Sequence, residues 1–265
     1  MTTTRLSTGA FGVLVAATIA AFFVSQHLKV TTPLIQGAPR PVPGVINPLH
    51  PVRCGNYLSG STTISFYLQH RSDDVDVYVV DAADEIVRTV ASGRHMRKDE
   101  RNPDGVFHWD GRLPDGRVAP DGTYYFRVAL LHQGRTINLN EPQQTVKVKT
   151  VPPRPVVVSV SPPVIPSESG STRVTIRYAG NETRSATVLL YRMDGAAQPQ
   201  LVKTFVTGWN RQTTVWDGTI RGRPAPAGSY LVGVEVTDGA CNTGRWPPQL
   251  PPSPAELARA GVRVR

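Results

Sequence analysis

Apolar and polar positions alternate along most of the chain, and this pattern predicts short, half-buried β-strands. The stretches TTISFYLQ at 62–69 and VDVYVV at 75–80 each place one set of side chains inward and the other outward. Strands of the same kind are predicted at 123–131 and 146–149. Because glycine and proline interrupt helices, the 23 glycines and 24 prolines also favour turn-rich β structure.

The order of these segments is repeated about 110 residues later. STRVTIRY at 171–178 matches STTISFYL at 61–68, and VVVSVSPP at 156–163 is expected to match the stretch around Val45. A chain of 265 residues is long enough for two domains of ordinary size. Short strands separated by Gly and Pro turns therefore predict an all-β protein with two tandem antiparallel β-sandwiches.

The first thirty residues carry the longest apolar segment. No Lys, Arg, Asp or Glu lies between Leu6 and Leu28, and FGVLVAATIAAFFV at 11–24 is apolar apart from Thr18. This length suits either the apolar region of a signal peptide or an uncleaved anchor, and the lack of a small-x-small cleavage site favours the anchor. We therefore predict a transmembrane helix over 1–30, a single-pass location in the cell membrane and extracytoplasmic C-terminal domains, secreted if the segment is cleaved.

Proline-rich stretches mark the predicted domain boundaries. Residues 31–52 contain six prolines, so 31–44 is expected to form a stiff stalk. The segment TVPPRP separates the first domain, 45–150, from the second, 151–265. GVRVR at 261–265 is expected to be the last strand of the second sandwich, unless the proline-rich tail is disordered.

The most specific feature is a motif that occurs twice, in FHWDGRLPDGRVAPDGTYYFRV and in TVWDGTIRGRPAPAGSYLVGV. The tryptophan can close the end of a sandwich, the Asp-Gly pair favours a turn, and the tyrosine can fix a loop as in a tyrosine corner. His108 of the first copy is replaced by Val215 in the second, so no partner for a general base or metal ligand repeats. We interpret the motif as a folding device. Its residues are Trp109, Asp110, Gly111, Gly122 and Tyr124, and Trp216, Asp217, Gly218, Gly228 and Tyr230.

This pattern resembles the immunoglobulin-like domain of the bacterial flagellar hook-capping protein. The matching features are W-D-G, a loop that contains glycine, P-x-G-x-Y and an alternating strand, and the resemblance covers residues 45–150 and 156–240. It implies two immunoglobulin-like domains with an extracytoplasmic role in assembly or spacing. It implies no catalytic residues.

Cys54 and Cys241 are the only two cysteines. In an oxidising compartment one disulfide is favoured over two free thiols, and the expected strand directions place both residues near the junction of the domains. We therefore predict a Cys54–Cys241 disulfide. A metal site is disfavoured because no CxxC or HxxxH pattern accompanies the cysteines.

The remaining features exclude several classes of function. The net charge of +9 is spread out and forms no basic run with interleaved aromatics, so we expect no nucleic-acid binding. Nucleophile-elbow, zinc-protease and phosphate-loop motifs do not occur, so we predict no enzyme, cofactor or small-molecule substrate. DDVD at 73–76 is interpreted as an exposed strand end rather than part of a calcium site, and RHMRKDER at 94–101 as a solvated, charged loop.

The sequence thus predicts a non-catalytic surface module that acts as a spacer, an adhesion module or an assembly scaffold. Its expected contacts are the membrane, through the N-terminal helix, and an envelope protein or an anionic wall polymer. The alternative is an accessory domain pair that binds glycans for an envelope enzyme located in another chain. An aromatic platform on a sheet face would favour this alternative.

Overall fold

The computed structural model describes residues 3–31, 33–98, 105–167, 172–182, 184–195 and 198–265. It opens with helix α1 (Thr3–Thr31), whose described side chains, at 11–25 and 27, are exposed. Residues 1 and 2 of the predicted anchor, and the side chains of 3–10, 26 and 28–30, lie outside the described part.

Over the described residues, no helix combines the length and the apolar character that a membrane span requires.

The first half of the remaining chain is a sandwich of two antiparallel layers. Its strands are β1 (Val45–Ile46), β2 (Arg53–Cys54), β3 (Tyr57–Leu58), β4 (Thr62–Ser65), β5 (Asp73–Val80), β6 (Ile86–Met96), β7 (Val106–Trp109), β8 (Gly122–Leu130), β9 (Arg135–Leu139) and β10 (Thr145–Val148). The larger sheet runs β1, β10, β8, β5, β6, with β9 added to β8, and only its edge pair β1–β10 is parallel among the pairs described. The pair β4–β7 forms the other layer, and one apolar core fills the space between the layers.

The second half repeats this connectivity. Its elements are β11 (Val156–Ser161), β12 (Val164–Ile165), β13 (Val174–Ala179), β14 (Ala186–Arg192), β15 (Gln200–Val206), β16 (Thr213–Trp216), β17 (Thr219–Ile220), β18 (Arg223–Pro224), β19 (Gly228–Thr237), β20 (Thr243–Trp246), α2 (Pro254–Ala260) and β21 (Gly261–Val264). One sheet runs β12, β21, β19, β14, β15, with β20 on β19, and the other runs β11, β13, β16. A separate apolar core lies between them. Strand β21 is the last strand that GVRVR predicted.

The predicted stalk is wrong, because residues 33–43 pack along the first sandwich. Leu34 and Ile35 are buried in its core, at 7% and 6% exposure. Val42 and Thr63 exchange two backbone hydrogen bonds, of 2.8 and 3.0 Å. The prolines favour an extended chain, but the apolar residues between them turn this chain into part of the smaller sheet rather than a free spacer.

This placement also corrects the alignment of the two halves. Strand β11 pairs with β13 as residues 33–43 pair with β4. The strand at Val45 instead corresponds to β12, because each of these two strands pairs in parallel with the last strand of its own sandwich. The stretch 156–163 therefore matches 33–43 and not the surroundings of Val45.

Other differences concern the edges of the sheets. Strand β6 continues to Met96, so the first part of the predicted charged loop at 94–101 is strand, and residues 99–101 lie outside the described residues. Strands β9 and β20 and helix α2 were not predicted. Helix α2 begins with a capping box, in which Ser253 and Glu256 bond each other's backbone N–H groups.

Candidate functional site

The two motif tryptophans close one end of each sandwich. Trp109 ends β7 and Trp216 ends β16, and each is only 1% exposed. The indole Nε1 of Trp109 donates to the carbonyl oxygen of Arg112 at 3.1 Å, and that of Trp216 donates to the carbonyl oxygen of Thr219 at 2.8 Å. Each ring thus fills the core while its polar atom holds the turn that follows.

The two motif tyrosines fix the loop that returns to the next strand. The hydroxyl of Tyr124 donates to the carbonyl oxygen of Pro120, and that of Tyr230 to the carbonyl oxygen of Pro226, both at 2.8 Å. Each ring packs on the tryptophan of its own copy, with centroids 5.1 and 5.7 Å apart. Burial raises the pKa of both hydroxyl groups, so they remain protonated donors.

The two motif aspartates cap the turn after each tryptophan. Asp110 Oδ1 accepts a hydrogen bond from the backbone N–H of Arg112 at 3.0 Å. Asp217 Oδ1 accepts from the backbone N–H of Thr219 at 3.1 Å and from its hydroxyl at 2.8 Å. This i to i+2 bond is the ordinary Asx turn, so both carboxylates serve the local backbone.

The motif glycines have two roles. Gly111 and Gly218 adopt φ values of +69° and +71°, in the left-handed region that other residues resist. Gly122 and Gly228 open strands β8 and β19. The turn therefore requires the glycine that directly follows each aspartate.

A basic side chain from a neighbouring strand, which the motif pattern does not include, holds each motif. Lys203 on β15 donates to the carbonyl oxygen of Thr219 at 2.8 Å and to Asp217 Oδ1 at 2.9 Å. Arg88 on β6 donates to the carbonyl oxygen of Leu113 at 3.1 Å. The hydrogen bond from Lys203 outweighs partial burial and lowers the pKa of Asp217 to about 2. Aligning IVRTV with LVKTF would have revealed the equivalent positions.

The structure joins the two sandwiches by a disulfide between Cys54 and Cys241, the pairing that the sequence predicted. The Cα atoms are 5.8 Å apart, although 187 positions separate the residues in sequence. Cys54 ends β2 of the first sandwich, and Cys241 lies in the turn between β19 and β20 of the second. The bond is therefore a covalent link across the domain junction.

Buried polar groups surround this disulfide. Asn47 Nδ2 donates to Asn242 Oδ1 at 2.5 Å, and Asn242 Nδ2 donates to the backbone carbonyl of Lys149 at 2.9 Å. The ammonium group of Lys149 lies 3.5 Å from the carboxylate of Asp238 and also pairs with Glu182. Both asparagines are at most 8% exposed. Because buried polar groups need these partners, the contacts favour one orientation of the sandwiches.

Residues 55–134 match the model of the FlgD Ig-like domain. The match contains the whole first copy of the motif and confirms the resemblance that the motif predicted. No curated protein sequence matches the chain.

Several solved structures resemble the fold at low identity. The fibronectin(III)-like modules of Clostridium thermocellum CbhA share 14% identity over 77% of this chain and 84% of theirs, with a TM-score of 0.32. The BSP domain of a biofilm-associated protein shares 15% over 82% of this chain and 30% of its own, with a TM-score of 0.28. A tetra-tandem repeat from the extending region of a large adhesion protein shares 13%, covering 70% and 43%, with a TM-score of 0.28. At these scores the likenesses do not bear on function.

A second polar cluster in the Ig-like domain lies where β5 begins. The buried carboxylate of Asp73 accepts from the backbone N–H of His132 and from Gln133 Nε2, both at 2.9 Å, and lies 3.0 Å from His132 Nδ1. His95 Nδ1 lies 2.7 Å from Asp74 Oδ1. Burial alone would raise the pKa of Asp73, but these hydrogen bonds hold it below its usual value. DDVD is thus not simply an exposed strand end, because Asp73 ties the β8–β9 turn.

Neither the polar cluster around the disulfide nor the one at Asp73 forms a site for a metal ion within the described part of the chain. Within the described ranges, no three His, Cys, Asp or Glu side chains are placed to bind one. The carboxylates of Asp73, Asp110 and Asp217 each accept hydrogen bonds from the turn that they hold. The carboxylates stabilise turns, and the contacts around the disulfide fix the relative position of the two sandwiches.

Proposed function

We propose that this chain is a non-catalytic, extracytoplasmic spacer or assembly scaffold that presents the loops of two rigidly joined sandwiches to an envelope partner. The contacts at the junction between the two sandwiches are the main support for this proposal. Contacts between domains of one chain usually permit relative motion. Here a disulfide and a buried Asn47–Asn242 hydrogen bond lie side by side at the junction. These contacts suit a scaffold that must hold its two sandwiches at a fixed distance from each other.

The repeated motif supports the non-catalytic part of the proposal. A general base needs a carboxylate or imidazole that is free to reach a substrate proton. Asp110 and Asp217 are instead engaged by the turns that they cap, and Asp217 is also paired with Lys203. Both copies share the hydrogen bonds of the tryptophan, the tyrosine and the turn-capping aspartate, as expected for a device that folds the chain.

We also propose that the N-terminal segment attaches the protein to the membrane. The support is the uncharged stretch from Leu6 to Leu28 and the exposure of large apolar side chains, such as Phe11 at 68% and Phe23 at 66%. After alkaline carbonate washing, the full chain is expected to stay in the membrane fraction, with both sandwiches accessible to protease added outside. Complete release by carbonate would refute the attachment.

The scaffold proposal is tested by measuring the distance between the sandwiches. Donor and acceptor dyes are attached through unnatural amino acids at Ala83 and Ala258, which are exposed and lie in different sandwiches. Single-molecule energy transfer in the full chain should give one narrow distance distribution. The double variant Cys54→Ser/Cys241→Ser should broaden it. A broad distribution in the unaltered protein would refute a fixed spacer.

A crosslinking experiment then tests whether this orientation matters in the envelope. The full chain and the double cysteine variant are crosslinked in intact cells and recovered under denaturing conditions. The proposal predicts defined crosslinked species with the unaltered protein and their loss with the flexible variant. Identical species from both proteins would show that the fixed orientation has no role in partner contact.

A further inference from the structure

The β17–β18 hairpin of the second sandwich forms one wall of a groove. One part of the groove has a volume of about 490 Å³ and is lined by β14, β15 and the hairpin. The adjoining part, of about 440 Å³, continues around the hairpin. Ile220, Arg221 and Pro226 line both parts, so they form one continuous surface.

Among the described residues, three arginines and no acidic side chain line this groove. They are Arg192, Arg221 and Arg223. Neither Arg221 nor Arg223 forms an ion pair within the described part of the chain. The nearby carboxylates are engaged elsewhere, since Asp194 accepts from the backbone N–H of Ser229 and Asp217 pairs with Lys203. Arg221 and Arg223 therefore present positive charge that no ion pair in the described part of the chain balances, whereas the carboxylate of Asp194 lies near Arg192.

Arg192 provides a buried donor inside the groove. One of its terminal nitrogens donates to the carbonyl oxygen of Ala227 at 3.3 Å, but its Nε atom is buried and has no acceptor among the described residues. Leaving the donor of a charged group buried and unpaired is unfavourable. Because this nitrogen is shielded from solvent, a ligand in the groove could reach it only if the Arg192 side chain moved.

The first sandwich lacks these features at the equivalent positions. In the second sandwich, Arg192 lies opposite the motif tyrosine, Tyr230, on the neighbouring strand. In the first sandwich, Val80 lies opposite Tyr125, so the next residue, Asp81, lies opposite the motif tyrosine, Tyr124. In the hairpin of the first sandwich, Arg117 is neutralised by Asp115 at 2.6 Å. Because the framework is shared, folding alone does not require the positive groove of the second sandwich.

The backbone of Arg221 gives a further indication. Its φ is +51°, followed by Gly222 at +76°, which is the geometry of a tight hairpin turn with two left-handed residues. Glycine, asparagine or aspartate usually fills the first of these positions. A charged residue that resists this conformation, placed at a groove, suggests a binding role for its side chain.

We propose that this groove binds an anionic polysaccharide through the carboxylate or phosphate groups that the polymer carries. The proposal rests on the proposed surface function and names one contact of that scaffold. Arginine forms paired hydrogen bonds with either group. Pro224 and Pro226 lack the backbone N–H that an added peptide strand would use, and Leu201 and Ile220 offer apolar surface to sugar rings. These features favour a polysaccharide over an acidic peptide.

The test measures binding of labelled polymers to the full chain in detergent. The probes are oligogalacturonate for carboxylates, phosphomannan for phosphates, polyglutamate for an acidic peptide and dextran as a neutral polymer. At least one of the two anionic polysaccharides, but not dextran, should bind, and binding should weaken as salt increases. The better ligand of oligogalacturonate and phosphomannan identifies the recognised anionic group.

Matched variants separate the groove from general charge. Arg221→Gly with Arg223→Gln, and separately Arg192→Gln, should weaken binding by about tenfold, since each removes a charge-assisted contact. Arg221→Gly also relieves the left-handed backbone, so loss of binding with an unchanged or higher melting temperature cannot be due to unfolding. The control, Arg112→Gln with Arg117→Gln, removes two arginines from the other hairpin and should change binding less than about twofold.

Three results would overturn the groove assignment. They are equal loss of binding in the control, full binding by the groove variants, and no binding of any anionic polymer. Polyglutamate that binds as tightly as the polysaccharides, with the same sensitivity to the variants, would overturn the choice of ligand. The energy-transfer measurement does not depend on the groove, so the scaffold and the groove can fail separately.

Discussion

Replacing Trp216 by alanine tests whether the repeated motif serves folding. The side chain is 1% exposed, packs 5.7 Å from the Tyr230 ring and donates one hydrogen bond to the turn. Burying a tryptophan removes about 200 Å² from water, and at about 25 cal/mol per Å² this contributes roughly 5 kcal/mol. Alanine retains a small part of this burial. We therefore expect Trp216→Ala to lower the free energy of unfolding of the second sandwich by about 4 kcal/mol.

Trp209 provides a control with the same change of residue. It is 64% exposed, and the guanidinium group of Arg184 lies 5.2 Å from its ring centroid. Trp209→Ala should therefore cost less than about 1 kcal/mol. The two variants delete the same atoms from the same sandwich, so their difference isolates burial.

The assay is urea unfolding of the full chain under non-reducing conditions, with hydrogen exchange read by mass spectrometry. Exchange gives a local stability for peptides of each sandwich. Trp216→Ala should accelerate exchange in β13 and β16 and leave β4 and β7 unchanged. A cost below about 1 kcal/mol, or one equal to that of Trp209→Ala, would refute the interpretation of the motif as a folding device.

Three further variants test the polar contacts and the disulfide. Because the pKa of Asp217 falls from 3.8 to about 2 on folding, its ion pair with Lys203 should stabilise the protein fully above pH 4 and progressively less as the pH falls toward 2. In urea unfolding, Asp217→Asn should cost about 0.5–1 kcal/mol at pH 7 and abolish this acid dependence. An unchanged pH profile in the variant would contradict this role of the ion pair. Cys54→Ser with Cys241→Ser should reduce stability by about 2–4 kcal/mol in thermal unfolding, and an unaltered melting temperature would be inconsistent with the link. Asp73→Asn should cost about 1–3 kcal/mol and accelerate exchange in the β8–β9 turn, whereas unchanged exchange there would rule out the proposed tie.

The motif could be predicted from sequence because its contacts are local. Trp109 and Asp110 both bond Arg112, and Tyr124 bonds Pro120, so residue type and spacing are enough to describe each interaction. Comparison of the two copies then separates the shared motif residues from those that only one copy has, such as His108.

Contacts between distant segments could not be predicted in the same way. Lys203 reaches a carbonyl 16 residues away, and His132 meets Asp73 across 59 residues, so only the paired strands reveal them. Residues 33–43 show the same difficulty. Their prolines fix an extended backbone, but local composition does not indicate whether an extended segment is solvated or lies on a sheet edge.

The charge difference at the groove is visible only when equivalent strand positions of the two sandwiches are compared. The strand register aligns Asp81 with Arg192, two residues of opposite charge at equivalent places. A sequence alignment based on motif letters treats such differences as variation outside the pattern. Once the shared framework is known, they identify where the two copies differ in charge at equivalent positions.

The disulfide also determines how the molecule would respond to mechanical tension. If one end is held and the other is pulled, the force passes from Cys54 directly to Cys241 and bypasses the chain between them. At about 3.4 Å per residue, the 187-residue separation amounts to roughly 600 Å of contour length that stretching cannot release. Reduction of this one bond would add that length to what the 53 residues before Cys54 and the 24 residues after Cys241 can already release.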